Sequence, residues 1–86
     1  MDIIYSKSAI KLLKELDVRL RTSILNKIKG LSKIPPEGDI KQLKGYSDNY
    51  LRLRVGKYRI IFKHIIKDNN KYIAIVDIGS RGDIYK

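Results

Sequence analysis

Residues 50–63 read YLRLRVGKYRIIFK, and they decide the fold. Val55-Gly56-Lys57-Tyr58 has the form of a two-residue hairpin loop, with Gly56 able to take positive φ. If Val55 pairs with Tyr58, the register follows: Arg54 faces Arg59, Leu53 faces Ile60, Arg52 faces Ile61 and Leu51 faces Phe62. Tyr50 then faces Lys63. Opposed residues share a sheet face, and so do alternate residues along a strand. One face therefore holds Leu51, Leu53, Val55, Tyr58, Ile60 and Phe62, a surface ready for a helical layer. The other holds Arg52, Arg54, Arg59 and Lys63, with Tyr50 and Ile61 among them.

Arg54 beside Arg59 needs a reason. Like charges directly opposed across two strands cost up to about 1 kcal/mol. Two readings account for them: solvated arginines that splay apart with their stems on Ile61, or an anion site. Guanidinium binds phosphate through a forked pair of hydrogen bonds, and an anion site is expected. Lys57, in the turn, either joins this cluster or points into water.

Upstream, Asp2–Tyr5 reads as an edge strand and Ser6 as a helix N-cap. Ala9, Leu12, Leu13 and Leu16 follow at helical spacing. Asp17 can cap a second helix whose apolar positions are Leu20, Ile24, Ile28 and Leu31, ended by the Pro35–Asp39 stretch. Residues 40–45 are a connection or a short strand. Downstream, Tyr72–Ile78 is a third strand after the hairpin, and residues 79–86 are expected to be irregular. The second hairpin loop, within Lys67–Lys71, has two or three residues. One choice puts Asp77 on the cationic face and the other buries it. An unpaired buried carboxylate is costly, so the cationic face is expected. The order is β-α-α-β-β-β, an α+β domain spanning residues 1–86 with two N-terminal helices on one face of an antiparallel sheet.

Composition bounds the chemistry. The 86 residues carry 19 Lys and Arg against 9 Asp and Glu, a net charge of +10, which favours polyanionic partners. Residues 1–45 and 46–86 are each +5, so charge along the chain does not locate the site. The absence of cysteine excludes disulfides, thiolate-bound metal and a cysteine nucleophile, and fits a reducing cytoplasm. The N-terminus reads as neither signal peptide nor membrane span. His64 is the only histidine, expected on the core-facing side near a strand end in a structural role. No metal or cofactor is expected.

A cationic sheet face with Arg81 and Tyr85 downstream suits phosphodiester chemistry on RNA. A 2′-hydroxyl can attack the adjacent phosphorus without a metal, provided that guanidinium groups stabilise the developing charge. Tyr85 either stacks on a base, orients a hydroxyl, or packs on the sheet.

LKGYSDNYLRLRVGKYRIIFK (43–63), followed by VDIGSRGDIYK (76–86), resembles the RelE/ParE superfamily of toxins from type II toxin–antitoxin pairs, and more closely its RelE branch. The resemblance implies a small α+β fold likened to microbial ribonucleases and a ribosome-dependent nuclease that cuts mRNA in the A site. By motif it assigns catalytic roles to Arg52, Arg54, Arg59, Arg81 and Tyr85; Lys57, Lys63 and Lys44 are taken as further RNA contacts. It implies a cognate antitoxin, acidic where it meets this face and partly disordered when free, in a toxin–antitoxin hetero-oligomer. No helix is expected after Lys86, and an antitoxin segment is expected to cover the exposed sheet or core edge. In the best-known RelE pattern the two strand cations are lysines, one of them assigned general-base work. Here both are arginine, which keeps its proton, and Lys57, Asp77, Asp83, Glu37 or the ribosome remain open as the base. The alternatives are a ParE-like inhibitor of DNA gyrase, a non-catalytic RNA-binding module and an inactive toxin that serves only as a repressor partner.

Overall fold

The computed structural model describes residues 2–43 and 49–80. Five strands, two α-helices and one 3₁₀ turn run in the order β1 (Asp2–Tyr5), α1 (Lys7–Glu15), α2 (Val18–Lys29), the 3₁₀ turn (Gly30–Ser32), β2 (Asp39–Gln42), β3 (Leu51–Val55), β4 (Tyr58–Lys67) and β5 (Asn70–Ser80).

Both helices start where side-chain chemistry starts them. The Ser6 hydroxyl accepts the Ala9 N–H at 3.1 Å, and the Asp17 carboxylate accepts the Leu20 N–H at 2.8 Å. Each satisfies an otherwise orphaned donor of the first turn. The helices bury Ala9, Leu13, Ile24 and Ile28, with Leu31 following in the 3₁₀ turn. These pack on Leu53, Ile60, Phe62, Ile73, Ile75 and Ile78 of the sheet, all nearly inaccessible to solvent.

The sheet order is β1-β5-β4-β3-β2. The central hairpin has the expected register throughout, from Val55 opposite Tyr58 to Leu51 opposite Phe62. Gly56 turns it with φ 58°, the positive value falling on the first central residue alone, as a type II′ turn requires. One feature of the sheet differs from the expected antiparallel arrangement. β1 runs parallel to β5, with Asp2 opposite Tyr72 and Tyr5 opposite Ile75, so the sheet is mixed. The segment left open as connection or strand forms β2, an antiparallel edge beside β3.

The second loop has two residues, Asp68 and Asn69, both with positive φ. That loop alone would set Asp77 opposite Ile60, inside the core. A β-bulge prevents this: the register shifts between Ile61 and Phe62, so Asp77 faces Ile61 on the helix-free side, as expected. One extra residue in a strand flips everything beyond it to the other face. Val76 is that residue, and hydroxyls from the other end of the chain hold it. Ser6 Oγ donates to the Val76 carbonyl at 2.6 Å, Ser8 Oγ reaches the same oxygen at 3.4 Å, and the Ser6 N–H donates to Ile75 O at 2.9 Å.

Candidate functional site

Register alone assembles the helix-free face. β2 contributes Asp39 and Lys41, β3 contributes Arg52 and Arg54, and β4 contributes Arg59, Ile61 and Lys63. β5 contributes Asp77 and Gly79. One cross-strand row runs Asp39–Arg54–Arg59–Gly79, each residue opposite the next on four consecutive strands. The neighbouring row runs Lys41–Arg52–Ile61–Asp77.

Arg54 is exposed and Arg59 half-buried. Their Cβ atoms, on directly opposed strand positions, are about 5 Å apart. Both planes can therefore be presented to one phosphate or to two neighbouring ones. Gly79, on the other side of Arg59, adds no side chain to the row.

Arg52 shares the face but is committed within the protein. It is 7% exposed. Its Nη1 donates to the Asp39 carbonyl at 3.4 Å and lies 3.6 Å from Asp39 Oδ2. Its partner across the hairpin, Ile61, is 3% exposed, so the arginine stem and the isoleucine share the cover of the outer face. Arg52 ties the edge strand to β3. Arg52→Ala should therefore lower the unfolding free energy by about 1–2 kcal/mol, whereas Arg54→Ala should stay within about 0.5 kcal/mol of the parent. Chemical denaturation of the two variants checks this contrast.

The lysines divide. Lys63 is on the helix-free face, its Nζ 5.1 Å from the centre of the Tyr50 ring, within cation–π range. This contact joins the two residues that the hairpin reading opposed. Lys63 lies four residues beyond Arg59 on β4, about 13 Å along the strand, and so outside the arginine row. Lys57 does not join the arginines: its Nζ is 5.8 Å from the ring of Tyr58, a residue of the helix-side face. Lys44, Arg81 and Tyr85 lie outside the described residues, as does Asp83.

Sequence reading missed Lys41 and Asp39. Their signal is the DIKQ segment, in which only Ile40 is drawn toward the core. His64, opposite Ile73 on the helix-side face, is exposed, with its ring edge-on to Phe62 at 6.1 Å between centroids. Among the described residues, no group of three or more His, Cys, Asp or Glu could hold a metal ion. No helix among them is long and apolar enough to cross a membrane.

Comparison with known proteins identifies the fold and the family. No curated protein sequence matches the chain. Among solved structures, the RelB–RelE antitoxin–toxin complex from Methanococcus jannaschii contains a chain 28% identical to this one. The match covers 95% of this chain and 94% of that chain, with a TM-score of 0.67. A chain of the archaeal RelE–RelB complex from Pyrococcus horikoshii OT3 is 27% identical over 95% and 96%, with a TM-score of 0.71. The YoeB/ParE toxin from Agrobacterium tumefaciens shares the fold at a TM-score of 0.76, with 16% identity over 94% and 99%. The family model described as the ParE toxin of the type II toxin–antitoxin system parDE matches residues 3–85. That span includes both helices, the arginine hairpin and the bulged strand, and the chain belongs to this family of type II toxins, within the RelE/ParE superfamily.

Proposed function

We propose that this toxin is a metal-independent endoribonuclease that cuts messenger RNA in the ribosomal A site. The observation that carries the reading is the pairing of Arg54 with Arg59 across the central hairpin on the face that the helices leave open. Phosphodiester cleavage by an internal 2′-hydroxyl concentrates negative charge on the phosphoryl oxygens. Two guanidinium groups fixed on a rigid sheet meet that charge without reorganising, which is where electrostatic catalysis gains most. A net charge of +10 draws the protein to RNA at long range. The likeness to two chains from RelE complexes, each above a quarter identical, supports the RelE-like reading over gyrase inhibition.

In this reading Arg54 and Arg59 bind the scissile phosphate, and Lys63 contacts the chain farther along the strand. Arg81 and Tyr85 are assigned with them by motif, and Lys44 as a further RNA contact. Arg52 is a positioning residue rather than a phosphate ligand, because its guanidinium is directed to Asp39. The protein acts in the cytoplasm, where ribosomes are, and a cognate antitoxin with an acidic segment covers the arginine face to silence it.

Mapping mRNA 5′ ends in a translation extract, with and without the protein, tests the proposal. New ends at codon-fixed positions that depend on ribosomes support it. Intact message together with loss of gyrase supercoiling would replace it with the ParE-like activity.

A further inference from the structure

An arginine face can stabilise charge, but it cannot accept a proton. Guanidinium is a donor with no acceptor site. We propose that Asp39 is the missing catalytic base, taking the proton of the attacking 2′-hydroxyl. This assignment rests on the ribonuclease reading above.

The carboxylates near the face separate by what they already do. Glu37 Oε1 is 2.8 Å from Lys33 Nζ, and this contact, first as a hydrogen bond and then through charge, holds its carboxyl below the usual range. Asp77 faces outward, but its Oδ1 accepts the Ile78 N–H at 2.9 Å and lies 3.4 Å from the Ser8 hydroxyl. Asp2 is on the far edge strand, opposite Tyr72. Asp39 alone among the described carboxylates stands in the arginine row, directly opposite Arg54 and one strand further from Arg59.

Its surroundings suit the task. The Asp39 side chain is 55% exposed, so it remains open to substrate. Arg52, with its side chain 9% exposed, approaches Oδ2 at 3.6 Å and its backbone carbonyl at 3.4 Å, which orients the carboxylate along the sheet edge. A ribose-phosphate laid across the row presents its phosphate to Arg54 and Arg59 and its 2′-hydroxyl toward β2. Asp39 then accepts the hydroxyl proton, and the O2′ electron pair forms the bond to phosphorus. The P–O5′ bond breaks with its pair going to O5′, which takes a proton from water. The products are a 2′,3′-cyclic phosphate and a 5′-hydroxyl, and Asp39 returns its proton to water.

The test is single-turnover cleavage of message on programmed ribosomes, with ribosome affinity and thermal melting measured in parallel. Asp39→Asn should cleave about 10²–10⁴-fold more slowly than wild type, with affinity unchanged or tighter because a negative charge is gone. Asp39→Glu should recover part of the rate. Arg52→Met, which removes the orienting charge but leaves the carboxylate, should lose less than about tenfold. Cleavage by Asp39→Asn within about threefold of wild type overturns the assignment. So does an Arg52→Met loss as large as that of Asp39→Asn, because Asp39 would then act only by holding Arg52. If wild type cleaves no message under any condition, the ribonuclease reading falls, and the base assignment falls with it.

Discussion

Arg59→Ala should cut message about 10²–10³-fold more slowly than wild type while remaining folded. Arg59 occupies the centre of the cross-strand row, between Arg54 on β3 and the bare backbone of Gly79 on β5. It stands on β4, the middle strand of the five, so its position is the most rigidly set. Arg54 belongs to the next strand outward and is exposed. Its loss should be felt in affinity as well as rate, because an exposed cation also attracts the RNA backbone. Arg59→Lys should restore only part of the rate, since an ammonium keeps the charge but not the fork. Growth arrest on induction, followed by cleavage rates from purified variants, checks the series. Toxicity undiminished in Arg59→Ala would remove the arginine pair from the chemistry.

The second large effect is on stability. Phe62 is 1% exposed and lies on β4 between Leu51 and Ile75. Phe62→Ala deletes a ring from the centre of the helix–sheet interface, and such truncations cost about 3–5 kcal/mol. Domains have about 5–15 kcal/mol in total, so a large share of the margin goes. At this chain length the melting midpoint should fall by roughly 15–30 °C. Circular dichroism melting measures it directly. The variant should regain cleavage on cooling, because Arg54 and Arg59 are untouched; this distinguishes it from Arg59→Ala, which stays folded and stays slow. A midpoint shift of only a few degrees would mean that the core is not organised around Phe62.

The arginine hairpin was legible because its signals are local. Gly56 supplies the positive φ, the alternation Leu51, Leu53, Val55 marks the inner face, and the arginine pairing follows by counting. The helix caps were legible for the same reason, as Ser6 and Asp17 each act three residues ahead. Long-range features were not. The parallel pairing of β1 with β5 joins residues some 70 positions apart. The Asp77 side was reached by the cost of burying a carboxylate, while the device that achieves it, a bulge at Val76 fastened by Ser6 and Ser8, depends on contacts equally remote in sequence. β2 has four residues and a single core-directed side chain, too little alternation to mark it as a strand. Without β2, Asp39 could not be placed opposite Arg54, nor Arg52 be seen to spend its charge on Asp39. The candidate base and the demotion of Arg52 both come from that one edge strand.

The chemistry of the cut ends tests the central claim most directly. Message cleaved on ribosomes by the purified toxin, without divalent metal beyond what the ribosome holds, should end upstream in a 2′,3′-cyclic phosphate and begin downstream with a 5′-hydroxyl. Those ends require attack by the RNA's own 2′-oxygen, the step that the Arg54–Arg59 pair is proposed to assist. A 3′-hydroxyl upstream and a 5′-phosphate downstream would mean that water is the nucleophile, and would contradict the account.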